Sequence, residues 1–571
     1  MVARWLVTSA WPYSSDIPHL GNLVGSVLSA DIFARYHRLI GDDVLYVSGS
    51  DEHGTPLEVE ALKRGVPVKE LADKNHESIS AVFRSWEISY DNYTRTESEA
   101  HKKFVRQLYS EIYSNDAYIF TQVERIHYCP KDKRFLPDRF VEGVCPYCGF
   151  ESARGDQCDN CGRPLDSERL GNAYCVICKS RTELRDTKQW FFDLPKLSGY
   201  VSEYLDRAEL SQNIIRFSRG WLKDGLRPRS ITRDSEWGIK APFPGAENKT
   251  IYVWMEAVLG YVSAAIEYFE KAGNPNGWKA FWLDKSAKTS FFIGKDNIPF
   301  HAIILPSLLR ASGMEYNEPS LISSTEFLLF EGQKFSKSRK IGIWCDEALE
   351  ILPADYWRYA LVSLRPESGD INFGWDSFAE KVNSDLNDTI GNFVNRTLVG
   401  VAKFSGGQFS RTREQFSSGA PEKFKDTLAG ALERHSQISK AYENVELQLA
   451  CRKSTEQASE ANRFLSETEP WKVVKTDKTR TEEILYVALS ILKLLAIEFA
   501  PVIPSSTSEM ARQAGLFKKS SGKPTWNDAL LDDDLPILAK DPSPIFSKHS
   551  AKGLKEKLDI IRSQKEKKIK A

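Results

Sequence analysis

Seven of the nine cysteines in this chain lie between residues 129 and 178. Four of them, in the segment CPYCGFESARGDQCDNC, are Cys145, Cys148, Cys158 and Cys161, so two Cys-x-x-Cys pairs are separated by nine residues. Each pair forms a tight turn that presents two thiolates, and two such turns build a tetrahedral four-sulfur site that is closed to solvent. The spacing therefore predicts a structural zinc site, because four sulfur ligands leave no open position for catalysis.

A second metal site has weaker support in the sequence. Cys175 and Cys178 form a third Cys-x-x-Cys pair, and the only upstream candidates to complete it are Cys129 and Asp132. A carboxylate oxygen is a harder ligand than a thiolate, and His127 is an alternative fourth ligand. The sequence thus predicts one zinc ion and leaves a second one open.

The composition is that of an ordinary soluble protein. Hydrophobic residues make up 41% and charged residues 27% of the 571 residues, and the formal net charge is -1. Because a single hydrophobic core stops growing near ~250 to 300 residues, two to four domains are expected. The balanced charge does not indicate a nucleic-acid partner, so any such contact requires a locally basic surface.

Secretion and membrane insertion are not expected. The N-terminus MVARWLVTSAWPYSSD lacks the basic region and the long apolar run of a signal peptide, which predicts a cytoplasmic protein. The most apolar stretch, residues 484–504, contains Lys493 and Glu498 and is predicted to be a buried bundle helix rather than a membrane span. The isolated Cys345 and Cys451 are predicted to pack in the core.

Hydrophobic patterns predict a parallel α/β sheet. Residues 4–10 and 44–54 have the pattern of strands, and the stretch after Gly21 has the apolar spacing of a helix that ends at Gly41. A similar strand, turn and helix pattern returns at residues 290–305. We therefore expect one Rossmann-like domain that is split by the cysteine-rich insertion.

The predicted domain order follows from these patterns. It comprises the first half of the Rossmann-like domain (1–115), the zinc-knuckle insertion (116–228), the second half of the domain (229–322), a region around KFSKS (323–380), an α-helical bundle (381–545) and a basic tail (546–571). The tail carries Leu554, Leu558 and Ile561 at helical spacing, and it is either a docked amphipathic helix or a frayed end.

Two short motifs about three hundred residues apart indicate a nucleotide site. HLGN places His19, Gly21 and Asn22 at the start of the first helix, where a phosphate would meet free backbone N–H groups and the positive end of the helix dipole. KFSKS places Lys334 and Lys337 in a loop flanked by Gly and Ser, where their charges can face a triphosphate. Each motif alone is more often an ordinary loop, but the two together on the halves of one split domain predict a shared ligand.

On these motifs the chain resembles the class I aminoacyl-tRNA synthetases, and within them the methionyl-tRNA synthetases of the archaeal/eukaryotic type, over roughly residues 4 to 540. Asn22 stands where many relatives have a second His. The resemblance implies that L-methionine is activated by ATP with Mg²⁺ and then transferred to tRNA(Met). It assigns catalysis and ATP binding to His19, Gly21, Asn22, Lys334 and Lys337, and a methionine pocket to Trp11, Tyr13, Asp51, Trp254, Ala257, Val258, Tyr261 and His301.

The resemblance also implies where the tRNA is read. Asn392 and Arg396 are four residues apart and lie on one helical face, where an amide and a guanidinium can read the edges of unstacked bases. Together with Trp471 of TEPW they are expected to read the anticodon. A monomer is expected. An oligonucleotide-binding barrel does not follow the bundle in the sequence, so a multisynthetase partner or a tRNA-binding protein acting in trans is left open.

Two alternatives are kept. One is a class I synthetase for isoleucine, valine, leucine or cysteine, although the insertion has no room for the editing domain of the aliphatic enzymes and its knuckles do not look like the catalytic-site zinc of the cysteine enzymes. The other is a zinc-ribbon RNA-binding scaffold without catalysis. Exchange of pyrophosphate into ATP that depends on methionine separates these alternatives.

Overall fold

The computed structural model describes residues 2–155, 158, 160, 161, 163, 165–336, 339–406, 412–517, 524–529 and 542–570. Lys337, the second lysine of KFSKS, lies outside these described residues. The chain folds into a parallel-sheet domain, an antiparallel insertion, a connecting region and a helical bundle, which confirms the predicted fold class. The predicted domain boundaries themselves stay predictions.

Five parallel strands form the sheet of the first domain. From one edge to the other they are Leu321–Thr325, Lys288–Gly294, Arg4–Ser9, Asp43–Ser50 and Asn92–Arg95. The central strand RWLVTS is buried from Trp5 onward, as expected for a parallel strand whose two faces are covered by helices. The strands predicted near residues 4–10, 44–54 and 290–305 are all present.

The sheet reverses its strand order beside this central strand. Arg4–Ser9 pairs with Asp43–Ser50 on one side and with Lys288–Gly294 on the other. Such a switch point opens a crevice at the carboxyl ends of the strands, which is where open α/β sheets bind ligands. The HLGN segment follows the central strand and therefore lies at this crevice.

The helices of this domain cover both faces of the sheet. The first helix starts after His19 and ends at Gly41, whose φ of 93° places it in the left-handed conformation that a glycine cap favours. The helical segments are Leu20–Asn22, Leu23–Val27 (a π-helical turn), Leu28–Ile40, Thr55–Arg64, Val68–Ser85, Glu99–Ser114, Val253–Ala257, Gly260–Lys271, Lys279–Trp282, Lys295–Asn297, Phe300–Ile304 (π-helical) and Leu305–Ala311.

The insertion is built on a long antiparallel ribbon. Strands Ile119–Cys129 and Glu183–Phe192 pair along ten residue pairs, and the cysteines follow at the end of the ribbon where Cys129 lies. Its other strands are Arg134–Phe135, Val141–Val144, Ala153–Arg154, Gly171–Cys175 and Arg229–Ser230, followed by the pair Thr232–Arg233 and Thr250–Ile251. Its helical segments are Asp138–Phe140, Ser167–Arg169, Leu194–Leu197, Ser198–Arg207 and Gln212–Asp224.

A connecting region joins the sheet domain to the bundle. It consists of the paired strands Leu328–Phe330 and Ile371–Phe373 and the helices Cys345–Ile351 and Ala354–Ser363. Cys345 is buried here and Cys451 is buried in the bundle, so both isolated thiols pack in the core as predicted.

The helical bundle surrounds one buried helix, Lys478–Glu498. Every residue from 483 to 498 is buried, which confirms the bundle-helix prediction for this stretch. Gln457 donates a hydrogen bond of 2.9 Å to the buried Glu498 carboxylate. None of the helices in the described ranges is long and apolar enough to cross a membrane. The other helical segments are Trp375–Lys381, Val382–Gly391 (π-helical), Asn392–Phe404, Arg413–Gly419, Glu422–Glu443, Leu447–Thr468, Pro470–Val473 and Pro504–Ala514.

The basic C-terminal segment forms a docked helix, Ala551–Lys570. Leu554, Leu558 and Ile561 are buried against the rest of the protein, so the amphipathic spacing seen in the sequence serves packing. Of the two alternatives for this tail, the docked helix is the one the structure contains.

A buried ion pair joins three parts of the molecule. Asp31 lies on the first crossover helix and Arg358 on the helix Ala354–Ser363, and neither side chain is exposed. Arg358 donates to Asp31 at 2.6 Å and to the backbone carbonyl groups of Trp86, Pro501 and Val502 at 3.0, 2.9 and 2.7 Å. The guanidinium thus ties the sheet domain to the turn that follows the buried bundle helix.

We expect Arg358→Met to destabilise the protein, because breaking a buried ion pair at one partner typically costs about 3–5 kcal/mol. Thermal unfolding measures the effect. Arg4→Ala, which breaks an exposed pair with Asp43, is the control and is expected to cost at most about 1 kcal/mol. Equal melting temperatures for the two variants would contradict the role given to Arg358.

The stabilisation that the Asp31–Arg358 pair contributes to the fold depends on pH. Burial alone raises the pKa of Asp31, but Arg35 and Arg358 overcome this effect and hold the pKa at about 2. Because folding lowers this pKa, the stabilisation is complete above the unfolded value near ~4 and is lost as the pH falls towards about 2. In Asp31→Asn this acid-dependent loss of stability should be smaller than in the wild type.

Candidate active site and metal clusters

A cavity of about 650 Å³ opens at the switch point of the sheet. Residues from both short motifs line it, namely His19, Gly21, Asn22 and Lys334. Its wall also contains every residue that the family resemblance assigns to a methionine pocket, which are Trp11, Tyr13, Asp51, Trp254, Ala257, Val258, Tyr261 and His301. The structure therefore gathers both predicted groups around one cavity.

His19 is held as a neutral imidazole at the N-terminus of the first helix. The Asn22 backbone N–H donates to His19 Nδ1 at 3.2 Å, and the His19 backbone N–H donates to Asn22 Oδ1 at 3.3 Å. Burial lowers the pKa of His19 to about 4. Since Nδ1 accepts a hydrogen bond, the proton of the neutral ring resides on Nε2, which leaves Nε2–H as a donor for a bound ligand. Asn22, the departure from the usual motif, thus caps its own helix.

The two motifs contact each other directly. The His19 ring stacks on Phe335 of KFSKS with centroids 4.3 Å apart and an angle of 12°. Further along the second segment, the Leu20 N–H donates to the Ile343 carbonyl at 3.1 Å and the Cys345 N–H donates to the Pro18 carbonyl at 2.9 Å. The sequence patterns did not single out Phe335 as a site residue, although it stands inside KFSKS.

The described part of the second motif pairs with the chain that follows it. Ser336 and Ile341 exchange two backbone hydrogen bonds of 2.9 Å each. Gly342 follows with a φ of 119°, and a Cβ atom on this residue would lie 2.2 Å from the Phe335 ring. Only glycine satisfies both conditions, so Gly342 allows the segment after the motif to pack directly against the Phe335 ring.

Aromatic rings and one neutral histidine line one end of the cavity. His301 Nδ1 lies 2.9 Å from the Asn297 carbonyl and its Nε2 lies 2.8 Å from the Tyr261 hydroxyl. Burial lowers the pKa of His301 to about 4, so Nδ1–H donates to the carbonyl and Nε2 accepts from the hydroxyl. Trp254 packs edge-on against Phe300 with centroids 4.5 Å apart. These rings present polarizable edges to a ligand side chain.

Trp11 reaches the cavity wall through space that two glycines leave free. A Cβ atom at Gly49 would lie 2.8 Å from its indole ring, and one at Gly260 would lie 2.6 Å away. Either substitution would push the ring into the cavity or out of its place. The glycines are ordinary in the sequence, and only the packing shows why they are needed.

Asp51 carries an unpaired acceptor in the cavity wall. Its Oδ1 atom is buried and has no hydrogen-bond partner within the described part of the chain. Burial, followed by the charge of Glu256, raises the pKa of Asp51 well above its usual range. A ligand cation placed here would stabilise the carboxylate and satisfy the open acceptor.

A buried histidine offsets the acidic groups behind Asp51. His53 lies 2.6 Å from Glu256 and 2.8 Å from Glu97. Burial alone lowers the pKa of His53, but the two carboxylates raise it to about 10, so the ring is an imidazolium at neutral pH. The histidine of SDEHG gave no sign of this role in the sequence, because its partner Glu256 lies 203 residues away.

The four cysteines of the first cluster have the geometry of a zinc site. Their sulfur atoms all lie within 4.8 Å of one another, with Cys148 and Cys158 3.6 Å apart and Cys145 and Cys161 4.0 Å apart. Zinc–sulfur bonds of about 2.3 Å in a tetrahedron give edges of about 3.8 Å. The two measured separations are close to this edge, so the cluster could hold a zinc ion.

The second cluster contains Cys129, Asp132, Cys175 and Cys178. Asp132 Oδ2 lies 3.3 Å from the sulfur of Cys129 and 3.1 Å from that of Cys175, so three sulfurs and one carboxylate oxygen converge. His127, the alternative ligand, is not in this group. Its ring nitrogens contact the Ser167 carbonyl at 2.8 Å and the Thr182 hydroxyl at 2.9 Å.

The bundle brings two of the three predicted base-reading residues into contact. The Arg396 guanidinium lies 5.4 Å from the Trp471 ring centroid and donates to the Ser466 hydroxyl at 3.1 Å. Trp471 is 41% exposed, and Asn392 is exposed one turn before Arg396 on the same helix. An exposed tryptophan beside a guanidinium is a surface on which an unstacked base can bind.

Comparisons with known proteins agree over nearly the whole chain. Residues 5–398 match the family described as tRNA synthetases class I (M), and residues 417–539 match the anticodon binding domain of methionyl tRNA ligase. The methionine–tRNA ligase of Thermofilum pendens is 50% identical over 98% of both chains, and that of Caldivirga maquilingensis is 49% identical over 99% of this chain and 95% of the relative. The fold is similar to that of Mycobacterium tuberculosis methionyl-tRNA synthetase in complex with methionyl-adenylate, with a TM-score of 0.78, 22% identity and coverage of 96% of this chain and all of that one.

We expect metal analysis of the purified protein to find two equivalents of zinc. Cys148→Ser should remove one equivalent and Cys175→Ser the other, because each variant lacks one ligand of a different cluster. Cys451→Ser, at a buried thiol outside both clusters, is the control and should retain both ions. One equivalent in the wild type would rule out a second zinc site, and none would rule out both.

Proposed function

The chain belongs to the methionyl-tRNA synthetases of class I, and on this premise we propose that its cavity activates L-methionine with ATP and then transfers the methionyl group to the 3' end of tRNA(Met). One observation carries the assignment to this cavity. The HLGN and KFSKS segments meet through the His19–Phe335 stack over the same space that Asp51 and His301 line.

The first step is a displacement at phosphorus that needs no protein nucleophile. A carboxylate oxygen of methionine bonds to the α-phosphorus of ATP, the bond to the β-phosphate breaks, and pyrophosphate leaves with the electron pair. The protein contributes positioning and charge: His19 Nε2–H donates to a phosphate oxygen, and Lys334 faces the triphosphate. A second positive charge from Lys337 stays a prediction from the sequence. Mg²⁺ bound with ATP offsets the phosphate charge. A terminal ribose hydroxyl of the tRNA then attacks the carbonyl of the adenylate; the bond from this carbonyl to the phosphate oxygen breaks, AMP leaves with the electron pair, and the hydroxyl proton is released to solvent.

Asp51 is the proposed anchor of the amino group. An α-ammonium placed at Asp51 Oδ1 would supply the missing partner of this acceptor. The thioether would then extend between Trp254 and the Tyr261–His301 pair, where a weakly polar, polarizable sulfur suits aromatic edges. Ala257 and Val258 also line the cavity.

Asn392, Arg396 and Trp471 are the proposed anticodon contacts. The guanidinium and the amide offer hydrogen bonds to base edges, and the exposed tryptophan offers a stacking face. The two cysteine clusters are proposed to hold zinc as structural staples of the insertion, which has little core of its own. A cytoplasmic location, and a partner protein acting in trans, stay predictions from the sequence.

We expect the protein to exchange pyrophosphate into ATP when methionine is added. Asp51→Asn should raise the KM for methionine at least about 30-fold, because removing one partner of a buried charged contact typically costs 2–5 kcal/mol. Asp43→Asn, on the surface, is the control. Exchange that responds to isoleucine, leucine, valine or cysteine instead would support another synthetase, and no exchange with any amino acid would favour the RNA-binding scaffold.

Trp471→Ala should separate the two half-reactions. We expect charging of tRNA(Met) to fall about 10- to 100-fold in kcat/KM, since stacking on one base contributes about 1–3 kcal/mol. Methionine-dependent exchange should stay at the wild-type rate. Lys472→Ala, which removes the neighbouring exposed ion pair with Glu469, is the matched control. Unchanged charging by Trp471→Ala would exclude this residue from the anticodon site.

A further inference from the structure

The C-terminal helix Ala551–Lys570 contacts the segment that follows KFSKS in the chain. Its apolar face is buried through Leu554, Leu558 and Ile561. Its polar face presents Arg562 to the segment 340–347, which leads from KFSKS into the helix Cys345–Ile351. A helix at the far end of the chain thus contacts the edge of the proposed ATP site.

Arg562 makes a dense set of contacts there. Its Nε and Nη2 atoms donate to the two carboxylate oxygens of Glu347 at 2.8 Å each, and Nη2 also donates to the Gly342 carbonyl at 2.7 Å. The Lys340 carbonyl accepts from Nη1 at 3.3 Å, and the guanidinium lies 5.6 Å from the Trp344 ring centroid. Only the planar fork of arginine contacts a carboxylate and a carbonyl in this way, since an ammonium group is a single point charge.

The residues that Arg562 holds are those that position both motifs. Gly342 lies against Phe335, which stacks on His19. Ile343, the next residue, accepts the backbone hydrogen bond from Leu20 of HLGN. Any shift of this backbone therefore moves the segment after KFSKS and the first turn of the motif helix together.

The helix is itself fixed at its start. The His549 N–H donates to Asn383 Oδ1 at 2.9 Å, Asn383 Nδ2 donates to the His549 carbonyl at 2.8 Å, and Lys548 pairs with Asp388 at 2.8 Å. Asn383 and Asp388 lie on the helical segment that runs directly into Asn392–Phe404. The C-terminal helix is thus anchored on the bundle at one end and on the active-site segment through Arg562.

We propose that Arg562 is a positioning residue for methionine activation: braced on Glu347, it fixes the backbone at residues 340–344 so that the HLGN and KFSKS backbones meet at the distance that ATP requires. This inference rests on the proposed function. It assigns no contact between Arg562 and the substrate. It accounts for the basic C-terminal segment through a contact within the chain, so that no external partner is needed for this residue.

Arg562→Ala tests the proposal. In methionine-dependent pyrophosphate exchange, we expect kcat/KM for ATP to fall about 10- to 100-fold, the range that a small misplacement of catalytic groups produces. The dissociation constant for methionine, measured by equilibrium dialysis without ATP, should stay at the wild-type value because Arg562 does not contact the pocket around Asp51. Arg562→Lys should give an intermediate loss.

Lys565→Ala is the matched control on the same helix. Lys565 pairs with Asp346 at 2.7 Å and with Glu350 at 2.9 Å, but these partially exposed ion pairs do not include the backbone at residues 340–344. We expect its exchange rate to equal that of the wild type. Glu347→Gln weakens the same fork from the other side and supplies the test if Arg562→Ala melts far below the wild type.

The outcomes are distinct. Wild-type exchange by both Arg562→Ala and Glu347→Gln would overturn the inference and leave the proposed function intact. Equal losses in Arg562→Ala and Lys565→Ala, or a parallel loss of methionine binding, would also overturn it, because they indicate general loosening of the fold. A wild-type protein without methionine-dependent exchange would refute the proposed function itself and the inference with it.

Discussion

The relative position of the sheet domain and the bundle depends on the buried pair of Asp31 and Arg358. Two charges at zero exposure cost much desolvation free energy, and only a nearly complete set of hydrogen bonds offsets it. Arg358 reaches that state by donating to three backbone carbonyl groups as well as to the carboxylate. Because two of those carbonyls belong to residues 501 and 502, a rotation of the bundle against the sheet would leave buried charge unsatisfied. This pair therefore opposes movement of the bundle relative to the sheet domain that contains the cavity.

The cavity combines charges of both signs on one continuous wall. Asp51 offers an unsatisfied carboxylate oxygen, Lys334 offers an ammonium group, and His19 and His301 are neutral because burial lowers their pKa values to about 4. An amino acid brings an ammonium group and ATP brings a polyanion, so each ligand has a complementary part of the wall. The positive charge of the His53 imidazolium reduces the repulsion among the buried carboxylates behind Asp51.

Backbone contacts, more than side chains, bring the two motifs together. The hydrogen bonds at Pro18, Leu20, Ile343 and Cys345 fix the two segments side by side, and the stacked rings fill the gap between them. Gly342 permits that approach, and the C-terminal helix supports it from outside. Segments from the start, the middle and the end of the chain therefore together determine the geometry of the site.

The sequence by itself determined the features that local patterns encode. Apolar runs and helical spacing predicted the parallel sheet, the split domain and the buried helix, which is observed at Lys478–Glu498, and the Cys-x-x-Cys spacing predicted the first thiolate cluster. Only the tertiary structure decided the rest. The ionisation of His53, the exclusion of His127 from the second cluster, the stack on Phe335 and the docking of Arg562 each depend on a partner far away in the chain. A local pattern does not specify which distant residue will pack against a given side chain. The burial, charge and hydrogen bonding of that side chain depend on this distant partner.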